Sequence, residues 1–517
     1  MKIRFITTLL TALLTLSVLQ AQEFEFTYKG QTLKYIVTAE NEVSVSRQNE
    51  GLSGDVVIPS KVKFEKKKYK VTSIGEAAFG FCSNLQSVVI PKVVTHIGNG
   101  AFFECKNLQS VVVPNSVTSI GLGAFEKCGS LQKIEVAPDN KFYSSKDGAL
   151  CNKSGDTLLA VPSVFTTYTI PNSVTHIGLG AFSDCKNLQS VVIPNSVTSI
   201  GERAFMGCAS LQSVTIPNSV TDIEQWAFSD CKNLQNIVIP NSVTSIGSRA
   251  FEGCANLQNV TIPNSVKYIG EWAFSGCANL QNVVVPNSVM DMGEGAFEKC
   301  SSLQSVVISN SVTRINKKAF SGCENLQSVV IPNSVTHIDK RAFSGCSNLQ
   351  SIAIPNSVTH IGEGALGSCS NLQSLTIPNS VTDIEDEAFE YCKNLQSVVI
   401  PNSVTSIGRE VFSGCENLQS VVIPNSLKNI RFKAFWYCEN LQSVVIPNSV
   451  ESIEKNVFLG CENLQSFTIE ALTPPRIGEG IFWGVSIPTI YVPAASVKKY
   501  KAAKGWDEFA DKIKPIK

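Results

Sequence analysis

The chain has 517 residues, 43% hydrophobic and 17% charged, with Lys plus Arg and Asp plus Glu equal at 43 each. A formal charge of zero leaves no basic excess to hold a phosphate backbone, which argues against nucleic acid as a partner. Nor is there a polybasic patch to hold an anionic lipid surface.

Lys2 and Arg4 precede an apolar run over residues 5–19, and Ala21 offers a small residue for cleavage. Residues 1–21 are therefore predicted to be a secretory signal peptide. No later apolar run is long enough to cross a bilayer, so no membrane insertion is expected after cleavage. The expected location is secreted or cell-surface, with the periplasm as the alternative. In residues 22–70, Phe24, Phe26 and Tyr28 alternate, Lys29-Gly30-Gln31 can turn, and Leu33, Tyr35 and Val37 alternate again. That pattern predicts a hairpin and an N-terminal β cap, with Asp55–Ser60 as a worn copy of the repeat that occupies most of the chain.

Residues 71–470 repeat one phrase. Its cysteine recurs every 23 residues from Cys82 to Cys128 and again from Cys185 to Cys461. Self-similarity at such a period signals a solenoid. In one unit, Leu108, Val111, Val113, Val117, Ile120, Phe125 and Cys128 are apolar at matching positions. The run ending Val-x-Val alternates as a short strand should, and Pro114-Asn115-Ser116 stops it. The three-residue step from Phe125 to Cys128 suits a turn of 3₁₀ or α structure. A lone unit cannot close its own core, so copies must stack. The predicted fold is a leucine-rich-repeat solenoid forming one elongated domain, with a parallel β ladder and short helical or 3₁₀ arcs on the opposite side. The long step between Cys128 and Cys185 contains a predicted hairpin insertion at about 137–163, with Asp147-Gly148 and Gly155-Asp156 as turns. It reads as an insertion tolerated on the flank, a functional protrusion being the alternative. Residues 471–517 are read as a small strand-and-helix C-terminal cap, with Trp506 and Phe509 available to pack.

The pattern Leu-x-x-Val-x-Ile-Pro-x-x-Val-x-x-Ile-Gly-x-x-Ala-Phe-x-x-Cys resembles the 23-residue leucine-rich repeat of BspA-like bacterial surface proteins, the Treponema pallidum type. Departures are local: Leu366 replaces Phe, Ser309 replaces Pro, and Val411 and Val457 replace Ala. The resemblance implies a secreted or surface protein of a host-associated bacterium, some relatives being adhesins for host matrix proteins. The expected partner is a protein, a host extracellular-matrix protein among the candidates. A structural, self-associating cell-envelope protein is the second reading.

Two columns are candidate binding surfaces. The outward ladder column includes Val192, Thr215, Val238, Thr261, Val284, Val307 and Val330, a flat β-branched strip. Such strips tend to mark interaction sites, although Val and Thr also simply suit a parallel strand. Beside Ile-Gly, a second column runs Arg203, Trp226, Arg249 and Trp272. It predicts a cation–π ladder that either presents a platform to a ligand or packs on itself.

The four histidines, His96, His176, His337 and His360, share one slot, with no carboxylate or thiol read beside them; no metal site is assigned. Sixteen cysteines occupy one inward position and are expected to be reduced, packed thiols, with sparse disulfides as the alternative. Repeated Ser, Asn and Thr give columns of identical groups rather than a converging nucleophile, base and orienting group. No catalytic residue, no enzyme activity and no cofactor are expected.

Overall fold

The computed structural model describes residues 22–516, so the expected signal peptide at 1–21 lies outside the described residues. Those residues fall into two compact units, divided between Ser210 and Leu211. Each unit is a parallel β-solenoid.

In the first unit, Glu23–Tyr28, Gln31–Ala39 and Glu42–Val45 form an antiparallel meander. Its last strand then pairs in parallel with Lys67–Ile74 and so starts one ladder. That ladder continues through His96–Ile97 and Ser119–Ile120. A second ladder starts at Ser53–Val57, which overlaps the segment Asp55–Ser60 read as a worn repeat. It climbs through Asn84–Val89, Ser110–Val113 and Lys133–Val136. Each turn of chain therefore has two ladder sides and an arc. Where a hairpin is expected, residues 143–160 hold three antiparallel strands, Tyr143–Lys146, Ala149–Asn152 and Thr157–Ala160. The last of them pairs in parallel with His176–Ile177, so the insertion itself forms a rung of the two-residue ladder.

The second unit repeats the pattern in strict register. Ser213–Thr215 pairs with Asn236–Val238, Asn282–Val284 with Ser305–Val307, and that strand with Ser328–Val330, each residue facing its counterpart 23 positions on. At the C-terminal end, Ser466–Ile469 pairs with Thr489–Val492, which pairs with Ile513–Pro515. A short helix, Val497–Lys501, lies against this end. Tyr500 donates its hydroxyl hydrogen to the Ala471 carbonyl at 2.8 Å and Trp506 donates Nε1–H to the Pro475 carbonyl at 2.8 Å. Both aromatic side chains are thus buried without an unsatisfied polar tip.

The arc is a run of overlapping turns. In one arc, the N–H groups of Ala101, Phe103 and Cys105 bond three residues back, to Gly98, Gly100 and Phe102. Intervening N–H groups cross to the next rung: Gly100 to Leu122, Phe102 to Ala124 and Glu104 to Glu126, at 2.8–3.0 Å. This alternation needs left-handed residues at two columns, for example Gly100 and Glu104 with φ of 56° and 57°. Close approach elsewhere needs glycine: a Cβ on Gly247 would lie 2.7 Å from the Gln225 nitrogen.

Inside, phenylalanines form an offset stack. Phe274, Phe297 and Phe320 follow one another at centroid distances of 5.3 and 5.7 Å, with planes within 3° of parallel. Beside them, motif thiols within the regular stack donate to the carbonyl of the residue in the phenylalanine column one rung back, as Cys277 does to Phe251 and Cys300 to Phe274 at 3.3 Å; Cys82 and Cys185, which follow irregular rungs, donate to Asn49 and Val161 instead. The phenylalanine-column carbonyl already accepts the N–H of the cysteine in its own rung, Cys254 for Phe251. Cysteine thus fills a slot the size of a small hydrophobe and satisfies a buried oxygen as well. All 17 cysteines are free and buried.

Burial pushes these thiols up, Cys300 and Cys369 to about 12 and Cys277 and Cys323 well above the ordinary thiol range. An unfolded thiol ionises near ~8.5. The folded state therefore holds protons that the unfolded state releases, and stability falls as pH rises from there. Each thiol removes about 1.4 kcal/mol per pH unit. Circular dichroism should show full stability below about pH 8.5 and cooperative unfolding between there and about pH 12. Native ellipticity held through that range would contradict it. A second expectation concerns Leu366, which interrupts the stack between Phe343 and Phe389. Leu366→Phe should raise stability in urea by about 1–2 kcal/mol through two new ring neighbours; a loss would mean the slot cannot take a ring.

Candidate functional site

Strand alternation turns every second residue of the long ladder outward. The column predicted to be outward is outward. In the first unit Val89, Val112 and Val192 are exposed, Val192 facing Thr169 across the ladder. In the second, Val238, Val284 and Val307 are 57–58% exposed and Val330 76%, with Thr215 and Thr261 also exposed. Register places Thr215 opposite Val238, Val284 opposite Val307, and Val307 opposite Val330. Within the second unit, rungs spaced ~4.8 Å apart make this a continuous strip. Exposed Ser or Asn and Gln columns flank it, as at Gln327 and Ser328. Next to it, asparagines form a hydrogen-bonded row: the Asn348 amide donates to the Asn325 side-chain oxygen, Asn371 to Asn348, and Asn394 to Asn371, at 3.0–3.1 Å. The strip therefore rests on a stiff edge.

Arg203, Trp226, Arg249 and Trp272 belong to the arc, a different side of the coil, and all four have left-handed backbones with φ of 51–57°. Such a backbone costs a non-glycine residue about 1–2 kcal/mol. In the first unit the Arg203 guanidinium lies 3.3 Å from Glu202. In the second, Arg249 sits between the indoles of Trp226 and Trp272, 5.9 and 4.8 Å from their centroids, and 3.6 Å from Glu252. Trp272 donates Nε1–H to Glu298 at 3.1 Å. The cation and the ring faces are thus occupied by one another.

One grouping escapes a reading of single motifs. Asp383 occupies the histidine slot one rung beyond His360 and pairs with it in register, so a carboxylate does share that slot. His360 Nδ1 lies 3.2 Å from Asp383, and Nε2 lies 3.4 Å from Glu385. Reading the slot down successive rungs, rather than scanning for histidines, would have revealed it. The ligand atoms of these three residues fall within 4.8 Å of one another. Both ring nitrogens lie beside carboxylates of the same group, so the three side chains face one another. Burial, then Arg314 and His360, hold the neighbouring His337 below the ordinary histidine range.

Further along the arc side, a groove is lined by Lys318, Arg341, Glu387, Glu390 and Tyr391. Burial, with repulsion from Glu387 and Glu410, raises the Glu390 carboxyl to about 7, against the pull of Lys433 and Arg341.

In-register ladders, stacked phenylalanines and an inward cysteine column define a leucine-rich-repeat protein. The family model described as BspA type leucine rich repeat region matches residues 60–159, 162–281, 273–396 and 382–503, and the chain belongs to that family. Among solved structures, a leucine-rich repeat protein from Bacteroides ovatus is 28% identical, covering 83% of this chain and 96% of its own, with a TM-score of 0.47. A leucine rich cell surface protein from Faecalibacterium prausnitzii is 23% identical over 86% and 89% of the two chains, TM-score 0.30. The pneumococcal vaccine antigen PcpA is 17% identical over 66% and 93%, TM-score 0.32. No curated protein matches the chain significantly. The family is one of protein-interaction repeats and is typically non-enzymatic. Among the described residues, no helix is long and apolar enough to cross a membrane.

Glu390 supplies a pH test. Its raised value means the folded state keeps a proton that the unfolded state loses above about 4.3. Its share of stability is therefore present in acid and lost as pH rises to about 7. Glu390→Gln should raise the melting temperature at pH 8 and leave it unchanged at pH 4; equal shifts at both would remove Glu390 as the cause.

Proposed function

We propose that this chain is an exported surface protein that binds an extended protein partner along its exposed Val/Thr strip, as a bacterial adhesin or host-interaction protein. The observation that carries this reading is the row at Val238, Val284, Val307 and Val330, more than half exposed on a rigid in-register ladder. A pre-ordered face loses little conformational entropy on binding, so many small contacts can sum. The strip is uniform, which suits an extended chain of a host matrix protein better than a small molecule. Apolar area buried there is worth about 25 cal/mol per Å².

Self-association through the same strip, as an envelope structural protein, is the second reading, favoured by the strip's repetition of one side-chain type. Two measurements separate them. Solid-phase binding to immobilised fibronectin and collagen should be saturable and should fall at least about tenfold in a Val238→Lys, Val284→Lys, Val330→Lys triple variant, because each lysine must be desolvated or excluded. Light scattering of the wild-type chain alone should report a monomer. Unchanged adhesion in the triple variant would remove the strip from the mechanism. Association of the wild type, abolished by the same three changes, would favour the structural reading.

A further inference from the structure

The arc over residues 120–128 in the first unit has lost its regular neighbour. On its N-terminal side the crossing bonds are complete, from Gly100, Phe102 and Glu104 to Leu122, Ala124 and Glu126. In the arc that follows the insertion they are complete again, from Gly180, Phe182 and Asp184 to Glu202, Ala204 and Met206. Between the two, the N–H groups of Gly123 and Phe125 have no acceptor among the described residues, and the Ala181 carbonyl is taken by Val161 at 2.7 Å. Ring stacking stops at the same place: Phe102 and Phe125 are stacked at 5.4 Å and Phe182 and Phe205 at 4.7 Å, with Leu150 and Ala160 of the insertion packed at Phe125.

This break forms a partly open cavity of about 180 Å³, lined by Phe125, Leu150, Leu159, Ala160 and Leu179 with Gly123 and Glu126. Glu126 is only 4% exposed, and its Oε1 has no hydrogen-bond partner. In two other rungs the glutamate of this slot is engaged, Glu252 with Arg249 at 3.6 Å, and Glu298 with Trp272 at 3.1 Å and Lys318 at 3.6 Å. Glu126 meets glycine instead. A Cβ on Gly180 would lie 2.9 Å from Glu126 Cγ, so the absence of a side chain there is what admits the carboxyl group. Burial raises the Glu126 carboxyl, opposed by Arg203 and Lys127. A buried carboxylate is ordinarily paired, and a cavity of this size is large enough for a branched aliphatic group.

We propose that this cavity is a binding site for a free apolar α-amino acid of leucine size. Its ammonium group meets the Glu126 carboxylate, its carboxylate accepts from the Gly123 and Phe125 N–H groups, and its side chain lies among Leu150, Leu159, Ala160 and Leu179. The Glu126 carboxyl group lies beside Gly123, so the ammonium and carboxylate of one amino acid, which share a carbon, meet the carboxyl group and the two N–H groups at one edge of the cavity, and charge-assisted bonds to both replace the hydration lost.

The test is calorimetric titration of the full chain at pH 7.5 with L-leucine, 3-methylbutylamine and 4-methylpentanoate, which keep both, one or the other charged group. Leucine should bind at least about tenfold more tightly than either analogue. E126Q should weaken leucine and the amine at least about tenfold and leave 4-methylpentanoate within about twofold. Because E126Q removes an unpaired buried charge, its melting temperature should not fall. Ala160→Leu, which keeps Glu126 and fills the cavity, should abolish binding of all three. No heat with leucine at about 10 mM, equal affinity for the three probes, or full leucine affinity in E126Q would each overturn the proposal.

Discussion

The crossing hydrogen bond between neighbouring arcs is the constraint on which everything else rests. Two ladder sides alone would leave the third side of each rung with unpaired donors facing its neighbour. Arc bonds such as Phe274 N–H to the Ala296 carbonyl, at 2.8 Å, close that side. They require every second N–H to point along the stack, which an ordinary helical turn cannot do, since it directs all of them back into its own chain. A left-handed residue resets the direction, and the arc becomes turns instead of helix. Once rungs are locked on three sides, each interior slot meets only copies of itself. Phenylalanine lies on phenylalanine, and each thiol reaches the carbonyl of the rung before.

That locking also decides where variation can appear. Inward slots admit only small departures, such as Leu366 for Phe or Val411 for Ala, both still fully buried. Outward slots of the arc carry no packing demand, and there the chain changes sign, size and polarity from rung to rung. The left-handed column is the clearest case. Glycine holds it at Gly295 and Gly364, while Lys318, Arg341 and Glu387 occupy it in neighbouring rungs with φ of 54–59°. Those residues tolerate strain because the bonds of both neighbouring arcs over-determine the backbone. Their side chains, once outside, pair with one another, as Arg341 does with Glu387 at 3.8 Å.

Slots that repeat were legible in the sequence, and slots that depend on a neighbour were not. The 23-residue period placed Val238, Val284 and Val330 outward and Phe297 and Cys300 inward, since strand alternation and apolar spacing are local signals. The left-handed column was not visible, because glycine marks it in only some rungs and the arc's hydrogen bonds join residues 22 apart. Thiol bonds to a carbonyl 26 residues earlier were hidden for the same reason. His360 beside Asp383 needed a column read down the rungs. The insertion has three strands where its turn signals suggest a simple hairpin, because the third, Thr157–Ala160, takes a partner from the ladder at His176 as well as from its own hairpin. Glu126 looks like its counterparts at Glu252 and Glu298 until one asks what lies on the next rung.

Translational repetition limits specificity. A ligand lying along identical rungs can slide by one step of ~4.8 Å and meet the same surface, so a uniform strip favours tolerance of register over discrimination. Interruptions such as Thr215 and Thr261 among valines, or Ala353 beyond Val330, perturb the strip only slightly, because all are small and uncharged. Discrimination between ligands requires a place where one rung differs from the next in both shape and charge. Within the first unit the insertion is such a place: Gly123 and Phe125 lose their acceptors there, Glu126 lacks the partner that Glu252 and Glu298 have, and aliphatic side chains replace a stacked ring. A stack of equal rungs supplies stiffness and reach, and the departure from equality supplies the distinct chemistry.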